Sequence, residues 1–142
     1  MRFIVEIPRI PPTVNKMFCS FNRRARILTN DFREFKRLVE RIVNGAQIPD
    51  DWDYVKVSLY LTPTRRQKMD GDNFFKATFD ALTGAGFWRD DSQVATASFF
   101  FTEPSKEPKT TVVVERAFEK FDSKLAIDRT NAKELKCDFY YY

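Results

Sequence analysis

Apolar and polar residues alternate in four short segments of this chain and recur at helical spacing in two others. The alternating segments cover residues 2–7, 52–62, 93–101 and 110–116, which predicts four half-buried strands. The helical patterns cover residues 72–82 and the stretch from Asn30 or Asp31, either as N-cap, to residue 43. At 142 residues the chain has the size of one domain. The order β-α-β-α-β-β predicts an α+β fold, a single mixed sheet packed with helices.

The chain contains no histidine, which limits the chemistry it can perform. A histidine general base, a Ser-His-Asp triad and a His-containing zinc site are all excluded. The two cysteines, Cys19 and Cys137, have no CxxC spacing, and we expect both to be reduced and structural. Catalysis in this chain would therefore depend on carboxylates, lysine or metal-activated water.

Charge is distributed unevenly along the sequence. Residues 1–68 carry 14 Lys and Arg against 7 Asp and Glu, whereas residues 69–116 carry 5 against 8. Ordinary solvated surface is one interpretation of this pattern. A basic region beside a group of carboxylates is also typical of a protein that binds phosphates together with a divalent cation.

Asp70 and Asp72 form the most suggestive acidic pair. In an extended segment, side chains two residues apart point to the same side, so the two carboxylates could share a cation. Lys76 follows one helical turn after Asp72, and the loop 84–88 can fold back to bring Asp90 or Asp91 to the pair. Three carboxylates and a lysine suit phosphodiester cleavage, in which a water on Mg²⁺ attacks phosphorus and the lysine stabilises the developing charge.

These acidic residues also have structural interpretations. Aspartates before a helix commonly serve as N-caps and helix-dipole partners. Asp80, four residues after Lys76, is expected to form a helix-surface ion pair with it rather than to bind a metal.

The segment 70–94 resembles the RusA family of Holliday-junction resolvases. It contains Asp-x-Asp-Asn from Asp70, a lysine in the following helix, Asp-Ala-Leu from Asp80, and a Gly, aromatic, Asp-Asp, x, Gln-Val ending. The segment 11–15, Pro-Pro-Thr-Val-Asn, is similar to the opening motif of the family, and the similarity extends over residues 1 to about 116. Gly71 replaces the usual aliphatic residue between the aspartates, and we expect it to loosen the strand end without removing a ligand.

The resemblance implies a small mixed α/β homodimer that binds four-way DNA junctions and nicks two strands symmetrically, using Mg²⁺ or Mn²⁺. Position by position, Asp70, Asp72 and Asp91 match the metal-binding carboxylates of the family and Lys76 its catalytic lysine, with Asp90 as a supporting residue. We expect the junction backbones to be held by a set of basic residues, Arg23, Arg24, Arg26, Arg65, Arg66 and Lys68.

Two other functions stay open from the sequence. The same fold and site could cut flaps or other branched DNA in place of four-way junctions. Alternatively, the chain could be a catalytically silent nucleic-acid-binding module that stacks bases on the three phenylalanines 99–101. At least one of those phenylalanines is expected to point into the core, which argues against the silent module.

The segment 117–142 follows the endonuclease domain, 1–116, as a charge-neutral extension that ends in an aromatic run. We expect a helix followed by an apolar tail, packed on the domain or on a partner subunit. No apolar run approaches the ~20 residues of a membrane span, so a cytoplasmic protein is expected.

Overall fold

A computed structural model describes residues 1–22 and 25–136. It contains the predicted β-α-β-α-β-β elements in order, with two additional strands that form a separate two-stranded sheet before the first helix. The strands and α-helices are β1 (Arg2–Ile7), β2 (Phe18–Asn22), β3 (Ala25–Leu28), α1 (Asn30–Val43), β4 (Tyr54–Thr62), α2 (Phe75–Gly84), β5 (Val94–Phe101) and β6 (Lys109–Ala117). Three short 3₁₀ turns lie at Val14–Lys16, Gly71–Phe74 and Asp91–Gln93. The α+β class is therefore correct.

Four strands form one mixed sheet in the order β1-β6-β4-β5. β6 runs antiparallel to both β1 and β4, whereas β4 and β5 are parallel. Parallel neighbours need a crossover connection, and here α2 lies within the connection between β4 and β5. This crossover contains every acidic residue singled out in the sequence, from Asp70 to Asp91.

One face of the sheet and the two helices form the core. The alternate residues of β4, Val55, Val57, Leu59 and Leu61, are all at most 1% exposed. From α1, Phe32, Phe35, Val39 and Val43 are buried in the same cluster. Apolar burial of this kind contributes roughly 25 cal/mol per Å², and it fixes the ends of β4 and α2 from which the site residues project.

The N-cap of the first helix lies one residue before the nearer of the two caps predicted from the sequence, Asn30 and Asp31. Thr29 is the N-cap, and its Oγ1 accepts a hydrogen bond from the amide of Phe32 at 3.2 Å. The Thr29 hydroxyl also donates to the carbonyl of Lys16 at 2.7 Å, so it joins the helix to the amino-terminal loop. Asn44, in the left-handed conformation with φ 47°, ends the helix as predicted.

The arginine-rich segment 22–26 was expected on an exposed hairpin or loop. β2 and β3 pair antiparallel, so it belongs to a hairpin. Arg26 is exposed on β3 with its guanidinium 5.0 Å from the centre of the Phe18 ring. Arg23 and Arg24 lie outside the described residues.

The three phenylalanines of β5 are 41%, 47% and 43% exposed, in order from Phe99 to Phe101. At least one of them was expected to be buried in the core, and that expectation is wrong. The reason is that β5 is an edge strand. Phe99 pairs with Leu59 and faces the helix side of the sheet, whereas Phe100 faces the other side and stacks on Tyr60 at 5.0 Å. The strand therefore exposes aromatic side chains on both faces.

Ala117, the first residue of the predicted extension, is the last residue of β6. The described residues after it, 118–136, contain neither helix nor strand, so the helix expected there is absent. All of these residues are exposed, including Phe118, Phe121 and Leu135 at 80%, 86% and 85%. One contact to the domain is a hydrogen bond of 2.8 Å from the Lys120 ammonium to the carbonyl of Ser92. The final aromatic run and Cys137 lie outside the described residues, and Cys19 is free and exposed. Within 1–22 and 25–136, no helix combines the length and apolar character that crossing a bilayer would require.

Candidate active site

Asp70 and Asp72 lie on a short turn between the end of β4 and α2. Asp70 is extended, with φ −97° and ψ 106°, and its carbonyl accepts from the amide of Asn73 at 3.1 Å to begin the Gly71–Phe74 turn. Phe74 is 4% exposed and anchors the turn in the core. The Asp70 side chain makes no capping hydrogen bond, and both carboxylates are exposed to solvent. Asp70 therefore occupies the N-cap position of the turn, but its carboxylate accepts no hydrogen bond from the backbone amides of the turn.

The other acidic pair lies where the chain enters β5. The Asp90 carboxylate accepts a hydrogen bond from the amide of Ser92 at 3.3 Å, which holds the pKa of Asp90 below its ordinary value. Asp90 thereby caps the Asp91–Gln93 turn. Asp91 is half-buried in that turn, and no hydrogen bond or ion pair engages its carboxylate within the described chain.

Gln93 fixes this turn, and the sequence reasoning gave it no role of its own. Its Oε1 accepts from the amides of Arg89 at 2.9 Å and Asp90 at 3.3 Å. Its Nε2 donates to the carbonyls of Trp52 at 3.1 Å and Asp53 at 3.2 Å. A glutamine that is 7% exposed therefore uses its full hydrogen-bonding capacity to join the Asp90–Asp91 loop to the start of β4. The Gln-Val motif was the available signal for it.

Lys76, the expected catalytic lysine, points along α2 towards Asp80. Its ammonium donates to the Asp80 carboxylate at 3.0 Å, which confirms the predicted i,i+4 ion pair. The pKa of Lys76 is raised, mainly by this hydrogen bond, with the negative charges of Asp80 and Asp91 adding to the effect. Asp72 precedes α2 in a 3₁₀ turn, so helical spacing from Asp72 to Lys76 is not continuous. The Lys76 ammonium therefore interacts with the carboxylates of Asp80 and Asp91.

The three candidate metal ligands do not converge within one chain. Among residues 1–22 and 25–136, no three acidic, histidine or cysteine side chains are close enough together to hold a metal ion. The topology explains this, because Gly71 lies against Phe99 while Asp91 precedes Val94 at the beginning of the same strand. At ~3.3 Å per residue, Val94 and Phe99 are separated by roughly 17 Å. The chain therefore presents two separate acidic groups, Asp70 with Asp72 and, apart from them, Asp91 near Lys76.

The chemistry of the donors nevertheless suits a hard divalent cation. Carboxylate oxygens are the ligands that Mg²⁺ and Mn²⁺ prefer. No described basic side chain forms an ion pair with Asp70, Asp72 or Asp91, whereas Asp80 and Asp31 are paired. Two uncompensated carboxylates two residues apart repel each other, and a bound cation would relieve that repulsion.

Three of the six basic residues predicted to bind DNA, Arg65, Arg66 and Lys68, lie on the loop that follows β4. Lys68 and Asp70 line one open pocket of about 430 Å³, together with Pro11, Pro12 and Lys16. One guanidinium nitrogen of Arg66, Nη2, donates to both carboxylate oxygens of Glu103, at 2.7 and 2.8 Å, although both side chains are about four-fifths exposed. The Arg65 guanidinium donates to Gln67 at 3.2 Å. The structure thus places the Pro-Pro motif and Lys68 beside Asp70, with Arg65 and Arg66 on the same loop and Arg26 on the separate hairpin.

Comparison with known proteins identifies the family. The family model of Endodeoxyribonuclease RusA matches residues 8–115. The chain is 35% identical over 85 residues to Crossover junction endodeoxyribonuclease rusA of Enterobacteria phage 82, an alignment that covers 59% of this chain and 70% of the phage protein. It shows the same identity and coverage with the RusA proteins of Escherichia coli strain K12 and Shigella sonnei strain Ss046. The chain belongs to the RusA family of endodeoxyribonucleases.

Proposed function

We propose that this protein is a divalent-metal-dependent endonuclease that resolves four-way DNA junctions by paired, symmetric nicks, in DNA recombination and repair. The observation that carries the proposal is the solvent-exposed pair Asp70 and Asp72 at the end of a basic loop, where Asp70 lines a pocket together with Lys68. Its relatives are named crossover junction endodeoxyribonucleases, which supports the choice of substrate. A DNA substrate of this kind would place the activity in the cytoplasm.

Asp70, Asp72 and Asp91 would hold the cation, Mg²⁺ with Mn²⁺ as a substitute. A cation bound there supplies an activated water at neutral pH and neutralises charge on the phosphate. Lys76 is protonated at neutral pH, as an ordinary lysine is, and its positive charge would be available to the leaving oxygen. In a chain without histidine, the carboxylates would hold the cation that activates water, and the lysine would stabilise the charge on the leaving oxygen.

Basic residues on two elements would hold the DNA backbone. Lys68 lies in the pocket with Asp70, and Arg65 and Arg66 precede it on the same exposed loop. The hairpin contributes Arg26, and we include the neighbouring Arg23 and Arg24 on the sequence alone. Contacts of this kind position phosphates without reading bases, so the choice of a four-way junction would come from the shape of the DNA.

A homodimer would account for the separation of the carboxylates. Within one chain Asp91 lies apart from Asp70 and Asp72, whereas a second copy related by a two-fold axis would bring its Asp91 to that pair. Such a dimer has two identical sites, as two symmetric nicks require. We propose that the extension 117–142 packs on the second copy, because its described part leaves large apolar side chains such as Phe121 exposed.

A nicking assay tests the substrate. The protein is incubated with a labelled synthetic four-way junction, a flap and a linear duplex, each with Mg²⁺, Mn²⁺ or EDTA. We expect paired, metal-dependent nicks in opposed strands of the junction. Cutting of flaps alone would keep the site but change the substrate, and binding without any cutting would contradict the nuclease.

Subunit mixing tests the shared site. Asp70→Asn and Asp91→Asn are each expected to be inactive, but a heterodimer purified through two different tags should contain one intact site. It should therefore make single nicks in the junction at about half the wild-type rate per dimer. If each chain carried its own complete site, both sites of the heterodimer would be damaged and no cutting would return.

A further inference from the structure

Gly71, between the two aspartates of the turn, is buried although both of its neighbours are exposed. Its φ lies outside the positive range that favours glycine, so any residue could adopt this backbone conformation. The need for glycine at this position must therefore be steric.

The ring of Phe99 occupies the space that a side chain at residue 71 would need. A Cβ built on Gly71 would lie 2.7 Å from Cγ of Phe99 and closer still to Cδ2 and Cε2 of the ring. Real Cβ atoms essentially never come within 3.0 Å of another heavy atom in this way. Phe99 is in turn held between Phe75, at 5.8 Å between ring centres, and Phe101, at 5.9 Å. The ring is thus supported on both sides by aromatic neighbours and lies directly against the turn.

We propose that Phe99 is a positioning residue for Asp70 and Asp72, since its ring fills the place of the missing side chain and fixes the turn that carries both carboxylates. The inference rests on the proposed function for the role of those carboxylates. It reverses the expectation that glycine loosens this turn, because the space is filled by a residue from β5. Phe99 acts on the carboxylates through Gly71, against which its ring lies.

A double-mutant cycle tests whether the two residues compete for one volume. The variants are Gly71→Ala, Phe99→Ala and the double variant, with Phe99→Leu as a milder change in case Phe99→Ala folds poorly. Phe100→Ala is the matched control, because Phe100 lies next on the same strand with similar exposure but points to the opposite face. Each protein is measured by urea unfolding without metal, and by Mn²⁺ affinity with calorimetry.

Gly71→Ala should raise the unfolding equilibrium constant and weaken Mn²⁺ binding, each by about tenfold or more, because the ring and the turn must move apart. Adding Phe99→Ala or Phe99→Leu to Gly71→Ala should recover most of both losses, whereas adding Phe100→Ala should recover neither. Absence of rescue in the unfolding measurement would overturn the packing relation. Rescue of stability with Mn²⁺ affinity unaffected by any variant would overturn the positioning role.

These outcomes are distinguishable from failure of the proposed function. If the wild-type protein bound no Mn²⁺ and cut no DNA, the metal site and the proposed nuclease would both fail. The proposal that Phe99 positions a metal site would then also be wrong. The double-mutant cycle measured by urea unfolding would still decide whether Phe99 holds the turn. If the wild-type protein binds Mn²⁺ and cuts junctions, the cycle tests Phe99 alone.

Discussion

Gln93 provides the clearest quantitative prediction, because one side chain joins the Asp90–Asp91 loop to β4 by four hydrogen bonds. Gln93→Met keeps the volume of the side chain and removes all four. The Trp52 carbonyl loses a fully buried hydrogen bond, at a cost of about 2 kcal/mol, and the three partly buried bonds cost about 0.5 kcal/mol each. We therefore expect the free energy of unfolding to fall by roughly 3.5 kcal/mol.

Urea unfolding measures this loss. With an m-value of about 2 kcal/mol/M, typical for a small domain, the midpoint should fall by about 1.75 M without a change in m. Gln67→Ala is the control, because Gln67 is exposed, makes one side-chain hydrogen bond and should change stability by less than about 0.5 kcal/mol. A loss below about 1 kcal/mol for Gln93→Met would refute the account of the loop as held by this amide.

Gln93→Glu separates hydrogen bonding from packing. The new carboxylate would face the carbonyl oxygens of Trp52 and Asp53, so burial and repulsion would raise its folded-state pKa. A raised carboxyl pKa destabilises the fold above that pKa and less below it. Relative to wild type at the same pH, the loss should therefore shrink between pH 7 and pH 4, and a loss independent of pH would contradict the assigned orientation of the amide.

The remaining predictions concern the charged residues around the site. Glu103→Ala should free the Arg66 guanidinium to contact a DNA phosphate, so junction binding should become tighter. The slope of log K against log[KCl] should become steeper by up to about one unit, as measured by fluorescence anisotropy over a KCl series. An unchanged slope would remove Arg66 from the DNA contacts. Asp80→Asn should lower the pKa of Lys76, because the Asp80 hydrogen bond is the main cause of its elevation, and NMR titration of the Lys76 side chain measures it. The raised pKa means that folding favours the protonated form of Lys76, so the Lys76–Asp80 pair stabilises the fold at neutral pH. This stabilisation should be lost only as the pH rises above the ordinary lysine value of 10.5. Loss of the stabilisation near neutral pH would contradict the ion pair.

Local patterns in the sequence were sufficient for most of the fold. The alternation in β4 and the helical spacing of Phe32, Phe35 and Val39 reflect burial on one face, which periodicity records directly. The start of α1 was missed by one residue, because Thr29, Asn30 and Asp31 are all good caps and only the hydrogen bond to the Phe32 amide distinguishes them. The three phenylalanines of β5 were misjudged because the sequence does not say that β5 is an edge strand.

The candidate site was predictable as a set of residues but not as an arrangement. The spacing of Asp70 and Asp72 and the ion pair of Lys76 with Asp80 depend on neighbours in sequence. Phe99 packs on Gly71, which lies 28 residues earlier in the chain. This contact depends on the register of β5 against β4, which no local sequence pattern encodes. The separation of Asp91 from Asp70 has the same origin, because it follows from the length of β5.

The most direct test of the central claim is to measure junction cutting and junction binding by Asp70→Asn in the same Mg²⁺ buffer, with binding repeated in Ca²⁺. Replacing one carboxylate oxygen by an amide keeps the size of the side chain and removes the charge that would hold the cation. We expect cutting to fall by at least about 100-fold while the dissociation constant for the junction changes by less than about threefold. Undiminished cutting, or loss of binding together with cutting, would contradict a metal-binding role for Asp70.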